Sequence, residues 1–353
     1  MLAEDERECA QSASHLQVRP ADRKRLLRRS RLSALRMGES LELRMSTQTL
    51  DDQPLGSVRC NLCGSRDSRV VFEDLPPSSQ GVELADFVAS VDRFDHYGRI
   101  VRCRGCGLVY TSPRPSSAEL AHGYTVAVDS DYAQEDASRS INAHLALNTI
   151  KRFAQRGRLL DVGCATGYFL NAARLYFETC GVEPSRWAAD YARERLRLEV
   201  HQGVLEEASL APASFDVVTL NDVIEHLVDP AAALARLCGL LRPGGLIYLV
   251  TPNIESVSAR VLRGYWWGLR PAHLYYFSPG TLTAMLEKNG FHVVWLKRYG
   301  RMFTYKYWLS RLKSYPRWLS ATAGAIIRGL GIEDKFLYLD TRDSMEVCAV
   351  KRD

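Results

Sequence analysis

Apolar and polar positions follow a regular rhythm over the second half of this 353-residue chain. Short apolar runs of strand length are separated by segments whose apolar residues recur every three or four positions, which is the spacing of one helix face. Strand and helix in alternation are typical of an α/β fold, a parallel sheet covered on both faces. The pattern predicts strands at 158–163, 179–183, 198–202, 215–221, 245–251, 291–298 and 345–351, and helices near 167–177, 185–197, 230–242 and 279–289.

The stretch 300–343 interrupts this rhythm before the last predicted strand. Aromatic residues such as Tyr307 and Trp318 are mixed with basic ones, and no acidic residue lies between Arg298 and Glu333. The apolar spacing predicts two helices with a break near Pro316. The segment is either a packed helical cap or an interfacial lid that meets a lipid-linked acceptor or a membrane surface. Stacking on single-stranded RNA is a third possible use.

The first 125 residues have a different character. Residues 1–50 are rich in arginine and lysine, and they predict a basic, flexible segment that is either solvated or in contact with an anionic surface. Residues 51–125 hold short strand-like runs such as "SRVVFE", with proline and serine between them. We therefore divide the chain into a basic segment at 1–50, a small module at 51–125 and an α/β domain at 126–353.

Two Cys-x-x-Cys pairs lie in the small module, in "CNLCG" and "CRGCG". Each turn lets two thiolates reach one ion, so Cys60, Cys63, Cys103 and Cys106 together offer the four ligands of a tetrahedral zinc site. The gap at 64–102 is longer than in the usual zinc ribbon, which predicts an insertion between the pairs. Four protein ligands leave no open position, so the zinc would be structural. A redox or iron–sulfur role is the alternative.

A glycine-containing turn follows the first strand of the α/β domain, in "LLDVGCATGYFL". Gly163 and Gly167 permit positive φ and close approach of a ligand to the backbone, and the helix that follows offers free N–H groups. Glu183 ends the next strand about twenty residues on, where a carboxylate can accept both hydroxyls of a ribose. The spacing D-x-G-x-x-x-G differs from the dinucleotide pattern G-x-G-x-x-G, which favours a nucleoside joined to an amino acid.

Five segments, "LLDVGCATGYFL", "GVEPS", "FDVVTLNDVIEHLVDP", "LRPGGLIYLVTPN" and "HLYYFSPGTLTAMLEKNGF", follow one another in this order. Together they resemble the successive motifs of class I S-adenosylmethionine-dependent methyltransferases, over about 150–299 and in the closing strand at 344–352. Within this family, the motifs most resemble those of ubiquinone-pathway O-methyltransferases and of bacterial enzymes that methylate sugars, glycolipids or natural products. The resemblance implies a Rossmann-like sheet of seven strands with the last one antiparallel, here preceded by a zinc-ribbon module and interrupted by a helical insertion.

The resemblance also implies where S-adenosylmethionine would bind. Its methionine half would lie along the glycine turn, its ribose on Glu183, and its adenine near Val204 and Leu205. Many relatives carry an aspartate at the position of Val204, so adenine recognition would here depend on backbone and apolar contacts. The implied cofactor residues are Asp161, Gly163, Cys164, Ala165, Gly167, Glu183, Pro184, Val204, Leu205, Leu220 and Asn221.

Methyl transfer to a hydroxyl needs a base that removes the acceptor proton. His226 and His273 follow the fourth and fifth strands, near the carboxyl edge of the sheet, and an imidazole suits this role because its pKa lies near neutrality. Asp222 and Glu225 are further candidates. His226 equally fits a histidine that is hydrogen-bonded to the backbone.

Composition indicates the cellular location and the class of acceptor that we expect. The chain has a net charge of +5, no apolar run of membrane-spanning length, no apolar signal segment and nine scattered cysteines, which together suggest a cytoplasmic protein. We expect methylation of a small molecule, a glycan or a lipid-linked acceptor, most often at a hydroxyl. Nucleic acid is not the expected partner, although an RNA methyltransferase and a non-catalytic scaffold are the rival functions.

Overall fold

The computed structural model describes residues 58–74, 83–88, 97–129, 132, 135–312 and 317–352. The basic segment at 1–50, the break at Pro316 and much of the insertion between the cysteine pairs lie outside the described residues. Leu55–Asp353 forms one compact unit. In the described ranges, no helix combines the length and apolar character that crossing a membrane requires.

The strands of the described residues supply one large sheet and two small ones. Their bounds are β1 (Ser68–Phe72), β2 (Ile100–Cys103), β3 (Val109–Thr111), β4 (Arg158–Val162), β5 (Glu178–Glu183), β6 (Val200–Gln202), β7 (Phe215–Asn221), β8 (Leu241–Pro252), β9 (Tyr275–Tyr276), β10 (Phe291–Arg298), β11 (Arg301–Thr304), β12 (Phe336–Leu339) and β13 (Ser344–Lys351).

The helices of the α/β domain lie where the sequence predicts them. Further helices precede β4, and others lie in the insertion at 300–343. Their bounds are α1 (Ser117–Val126), α2 (Asp136–Ile150), α3 (Tyr168–Ala173), α4 (Arg186–Leu196), α5 (Pro230–Leu240), α6 (Val257–Leu262), α7 (Pro279–Lys288), α8 (Tyr305–Arg311) and α9 (Arg317–Gly329). Short 3-10 turns occur at Leu84–Phe87, Leu205–Glu207, Ile224–His226 and Arg263–Tyr265.

The large sheet has seven strands in the order β10-β13-β8-β7-β4-β5-β6. All seven were predicted, and β13 is antiparallel to both of its neighbours, as the family resemblance implied. The central strands are rich in leucine and valine because both faces of the sheet are covered; Leu160, Val218 and Leu220 are fully buried. Two boundaries differ from the prediction, since β8 begins at Leu241 through the exposed "RPG" stretch and α3 ends at Ala173.

The cysteine module shares a sheet with the α/β domain. Its strands β1, β2 and β3 are continued by β9, whose residues Tyr275 and Tyr276 come from the loop region after β8. The Thr111 backbone N–H adds a bond of 2.9 Å to the Leu274 carbonyl, and Tyr110 packs in the same core cluster as Phe277. The module is therefore bonded to the α/β domain through a sheet as well as through apolar packing.

The insertion before β13 contains the two predicted helices, α8 and α9, between the paired strands β11 and β12. The hairpin was not predicted, because strands of four residues with half-buried side chains give only a weak alternating pattern. The Phe303 and Tyr307 rings stack with centroids 3.8 Å apart, and this contact joins β11 to α8.

Candidate functional site

The turn between β4 and α3 is built so that glycine is required in it. Gly163 has φ of +68°, and a Cβ added there would lie 2.6 Å from Cγ2 of Val223. Gly167 has φ of +82° and is equally crowded by Leu198. Ala165 between them also adopts a positive φ, of 47°, and its N–H points at the Glu183 carboxylate. Strain in a non-glycine residue is characteristic of functional turns.

Glu183, at the end of β5, is held in one orientation by the backbone. Oε2 accepts the Ala165 N–H and Oε1 accepts the Ser185 N–H, each at 2.8 Å. Burial raises the pKa of this carboxyl to about 7, although the two N–H donors favour the ionised form. Each oxygen keeps a further lone pair, so the carboxylate can accept two hydroxyl donors, as the vicinal hydroxyls of a ribose require.

Asp161 and Asn221 lie side by side at the ends of β4 and β7. Oδ1 of Asp161 accepts the Thr219 hydroxyl at 2.6 Å and the Asn221 amide at 3.4 Å. Burial raises the pKa of the Asp161 carboxyl to about 7. With Gly163, these residues line a cavity at the carboxyl edge of the sheet, where α/β proteins bind their ligands.

The opposite wall of this cavity comes from outside the glycine turn and the strand ends that follow it. Arg301 and Phe303 of β11 line it, together with Tyr299, and Arg301 donates to Oδ1 of Asp222 at 2.6 Å. Asp222 itself has φ of 55°, an uncommon value for a residue other than glycine. The remaining lining residues are Tyr132, Arg139, Asn142, Ala143, Ala146, Cys164, Tyr168, Phe169 and Val250.

The other predicted cofactor residues occupy less open positions. Leu205 and Leu220 are almost fully buried in the core, so they can support a ligand chiefly from behind. Pro184 is half-buried and its carbonyl accepts the Gln202 amide at 3.1 Å. Val204 lines a second depression, beyond β6, together with Gly203.

His226 and His273, the predicted bases, lie together. Their rings are nearly perpendicular, with centroids 4.6 Å apart. Neither histidine is among the described residues that line the cavity, whereas Asp222 is. Burial and the nearby Arg270 guanidinium lower the pKa of His226 to about 4, and burial and His226 lower the pKa of His273 well below its usual value. Of the candidate bases, only Asp222 lines the cavity.

The four cysteines of the small module converge. The Sγ atoms of Cys60 and Cys106 are 3.4 Å apart, as are those of Cys63 and Cys103, and all four lie within 4.8 Å of one another. These separations exceed the roughly 2.05 Å of a disulfide bond and approach those of sulfurs that share a tetrahedral ion. Burial raises the pKa of Cys103, but N–H donors from Cys106 and Gly105 help to bring it to about 7. The donor set therefore fits a thiolate-bound metal.

The first knuckle also touches the α/β domain. The Asn61 amide donates to Oδ1 of Asp229 at 2.8 Å, and its oxygen accepts the Ala231 N–H at 2.9 Å. The N-terminus of α5, which directly follows the His226 loop, is thus fixed in part by the cysteine turn. At the end of β3, which pairs with β9, the Thr111 hydroxyl donates to the carbonyl of His273 at 3.0 Å.

Comparison with known proteins agrees with this geometry. Residues 132–296 match the family described as a methyltransferase domain. A Mycolicibacterium smegmatis protein named "Probable S-adenosylmethionine-dependent methyltransferase" is 34% identical over 148 residues, which are 40% of this chain and 56% of that protein. A ubiquinone biosynthesis O-methyltransferase of Aeromonas salmonicida is 34% identical over 103 residues, 27% of this chain and 43% of that one. The chain spans about half the length of the curated relatives it matches.

Solved methyltransferases align over a similar part of the chain. An S-adenosylmethionine-dependent methyltransferase of Thermotoga maritima is 21% identical, with a TM-score of 0.43, and covers 63% of this chain and 95% of its own. The fold itself is defined by the strand order given above. The methyltransferase-domain match covers residues 132–296, and the strand order and glycine turn in this part of the chain agree with the resemblance to S-adenosylmethionine-dependent methyltransferases.

Several cavity residues were not predicted from the sequence. Tyr299, Arg301 and Phe303 follow β10 and reach the cavity only because the β11–β12 hairpin folds back toward α2, where the Met302 N–H donates to the Asn142 side chain at 2.8 Å. The basic and aromatic character of 300–343 was the signal available. It indicated a special segment, but it could not indicate which residues line the cavity.

Proposed function

We propose that this protein transfers the methyl group of S-adenosylmethionine to a hydroxyl of an acceptor bound between the glycine turn and β11. The observation that carries the proposal is a single cavity whose two walls differ in origin. Asp161, Gly163 and Asn221 supply the cofactor side, and Arg301 and Phe303 supply the other. A cofactor sulfonium placed along the first wall would point its methyl group into the space before the second.

Positioning is the main contribution we expect from the protein, because the sulfonium already makes the methyl group electrophilic. Alignment of the acceptor oxygen opposite the sulfur can supply up to roughly 7–11 kcal/mol in favourable cases. Asp222 is proposed to contact the acceptor, since its carboxylate lines the cavity and is held by Arg301 at 2.6 Å. The aromatic side chains of Tyr168, Tyr299 and Phe303 favour an acceptor with a ring or a sugar face.

Incubation with methyl-labelled S-adenosylmethionine and extracts of candidate metabolites tests this proposal. We expect the label to appear in an extractable small molecule, glycan or lipid, and to decrease strongly in the Asp222→Asn variant. The cofactor affinity of that variant, measured by calorimetry, should change little because Glu183 and Gly163 are untouched. Absence of cofactor binding by the wild-type chain would contradict the proposal at its first step.

We propose zinc as the metal of the four-cysteine site. Four thiolates in two knuckle turns are the donor set of structural zinc, and they leave no open position for catalysis. Elemental analysis of the purified chain should find one zinc ion per chain in this site. Iron with an absorbance band in the visible range would instead favour an iron–sulfur centre.

We propose that α9 contributes a membrane-facing surface for a lipid-linked acceptor. Trp318, Ile326 and Leu330 lie on one side of this helix and its C-terminal turn and are 70%, 58% and 65% exposed, and Arg317 and Arg328 accompany them. Exposed apolar residues with basic neighbours are typical of interfacial helices. The same insertion supplies Arg301 and Phe303 to the cavity, which would place an acceptor headgroup beside the membrane surface.

Sedimentation with vesicles of phosphatidylcholine and phosphatidylglycerol tests this surface. The wild-type chain should sediment with the vesicles, and a Trp318→Ser/Ile326→Ser variant should stay in solution. Val261→Ser is the matched control, because Val261 on α6 is 73% exposed and lies outside the insertion. Equal sedimentation of the wild-type and double-variant chains would contradict membrane contact through α9.

A further inference from the structure

A second group of metal-ligand side chains lies behind the cavity, on segments far apart in the sequence. Glu225 and His226 belong to the 3-10 turn after β7, and His273 precedes β9. A carboxylate oxygen of Glu225 and one ring nitrogen of each histidine lie within 4.8 Å of one another. An ion with bonds of about 2 Å holds its ligand atoms about 3 Å apart, so small rotations of these side chains would close the site.

A hydrogen bond to the backbone sets the tautomer of the His273 ring. Nδ1 of His273 is 2.8 Å from the Gly268 carbonyl, and a carbonyl oxygen only accepts, so Nδ1 carries the hydrogen and Nε2 carries a lone pair. Nδ1 of His226 lies 3.0 Å from the Ala272 carbonyl and 2.8 Å from the Tyr124 hydroxyl, and a hydrogen on this Nδ1 gives His226 the same tautomer. Metal-binding histidines usually have this arrangement, in which one nitrogen donates to the backbone and the other is free for the ion.

Glu225 supplies the second, independent observation. Its side chain is 1% exposed, and Oε2 accepts the Thr251 hydroxyl at 3.0 Å. Oε1 is buried and has no hydrogen-bond partner among the described residues. A buried carboxylate oxygen without a partner costs about 1–3 kcal/mol or more. A bound cation would remove this cost by taking the free oxygen as a ligand.

Other charged and polar groups face the cluster. Asp222 and Arg301 form an ion pair on the cavity side, and the Tyr124 hydroxyl is 2.8 Å from Nδ1 of His226. Arg270 adds a positive charge nearby, and its guanidinium donates to the Val88 carbonyl at 3.1 Å. Asp222 balances the charge of Arg301, and Glu225 supplies a further carboxyl group to the cluster.

We propose that Glu225, His226 and His273 bind one divalent first-row transition-metal ion. Two imidazoles and one carboxylate are the donor set that such ions prefer, and three protein ligands leave positions open for water or an oxygen ligand. The proposal concerns metal binding alone and does not depend on the proposed methyl transfer.

Manganese is the probe that separates this cluster from the four cysteines, because it prefers nitrogen and oxygen ligands to thiolates. The full chain is purified with zinc in the cysteine site, its metal content is measured, and MnCl2 is added while the free ion is followed by electron paramagnetic resonance. We expect one bound manganese ion per chain. We also expect its affinity to fall by about 10-fold or more in Glu225→Gln and in His273→Gln.

His144→Gln is the matched control, because His144 is exposed on α2 and should leave the titration unchanged. Circular dichroism and the melting temperature establish that each variant is folded. If His273→Gln does not fold, the near-isosteric Glu225→Gln decides the question. Equal manganese affinity in the wild type and in Glu225→Gln, or no bound manganese in the wild type, would overturn the proposal. The titration contains neither cofactor nor acceptor, so it is independent of the proposed transferase activity.

Discussion

The two clusters of candidate metal ligands in this protein are built in opposite ways. Cys60, Cys63, Cys103 and Cys106 come from two short turns at the ends of neighbouring strands, and each turn brings its own pair of sulfurs together. Glu225, His226 and His273 are assembled by the large sheet, which carries β7 and the loop after β8 to the same edge. The first cluster is a local motif, whereas the second exists only in the folded domain.

This difference explains what each cluster can do. The cysteine turns offer four ligands, which complete a tetrahedral ion and leave it inert. The histidine–carboxylate cluster offers three, and it contains a buried carboxylate oxygen without a partner. The first arrangement favours stability, and the second is a local cost to stability of the kind found at functional sites.

The two clusters are also connected. β3 of the cysteine module pairs with β9, and the Thr111 hydroxyl donates to the carbonyl of His273 at 3.0 Å. Loss of the cysteine-bound metal should therefore disturb the histidine cluster. The reverse effect should be small, because Glu225 has no hydrogen bond to the cysteine turns in the described part of the chain.

Cys103→Ser should give the largest effect. Removal of one thiolate opens the tetrahedral site, and structural zinc contributes about 10–16 kcal/mol to the folding of zinc-finger peptides. We expect loss of bound zinc, a decrease in the free energy of unfolding of about 3 kcal/mol or more, and weaker manganese binding. Elemental analysis and thermal unfolding measure these changes.

Cys238→Ser is the control for the loss of a sulfur atom. Cys238 is half-buried on α5, and its Sγ contacts the Gly290 carbonyl at 3.9 Å, away from the cysteine cluster. Its zinc content should equal that of the wild type. Full zinc content in Cys103→Ser would show that this residue is not a ligand.

The comparison of the two clusters also shows which features of the structure could be predicted from the sequence. The central strands of the large sheet were predicted because their apolar runs are buried on both faces, and the cysteine and glycine motifs were predicted because each lies within a few residues. The β11–β12 hairpin, the pairing of β9 with β3, and the Arg301–Asp222 ion pair were not predicted. These features depend on contacts between distant segments, which a single sequence does not encode in any local period.

Gly163→Ala should give the next largest effect, and it tests a local motif on the cofactor side. The φ of +68° is strained for alanine, and the added Cβ would come within 2.6 Å of Val223. We expect a loss of about 1–3 kcal/mol in stability and a decrease in S-adenosylmethionine affinity of about 10-fold or more, measured by calorimetry.

Gly239→Ala is the matched control for this substitution. Gly239 lies in α5, and a Cβ added there meets no atom within 4 Å. The change should leave the cofactor affinity unchanged and should raise the stability by up to about 1 kcal/mol, since alanine favours a helix. An unchanged cofactor affinity in Gly163→Ala would remove this turn from the binding site.

Glu225→Gln should raise the free energy of unfolding, whereas Cys103→Ser should lower it, so the two clusters differ in the sign of the effect. In the metal-free histidine cluster the buried Oε1 atom has no partner among the described residues, and burial raises the pKa of this carboxyl to about 8. Above pH 8, where the carboxyl would be ionised, the uncharged amide should therefore raise the free energy of unfolding by about 1–2 kcal/mol. The new amide can keep the Thr251 hydrogen bond and donate to a histidine nitrogen. Thermal unfolding with zinc retained in the cysteine site measures the change, and a marked destabilisation would indicate that the carboxylate has an essential structural partner.

The pH dependence of cofactor binding should give the smallest effect. The folded-state pKa of Glu183 is raised by burial to about 7, so its contribution to the stability of the cofactor-free protein is fully present below the unfolded-state value near 4.5 and is lost as the pH rises through 7. Ribose hydroxyls donate to the ionised carboxylate, so binding releases a proton. The affinity should therefore rise with pH, by at most about 10-fold per unit for this group, and level off above pH 7.

Calorimetry in buffers of different ionisation enthalpy measures the number of protons released. Asp161, whose pKa is also raised by burial to about 7, should contribute in the same direction if its carboxylate meets the cofactor ammonium group. Glu183→Gln should bind the cofactor more weakly and should release one proton fewer near pH 6. Asp161→Asn should remove the part of the proton release that Asp161 contributes. A proton release that is identical in the wild type and in Glu183→Gln would mean that the ribose does not bind this carboxylate. Glu183 was predicted as the ribose ligand because it ends a strand of the large sheet. That result would therefore leave the glycine turn as the only part of the cofactor site predicted from the sequence.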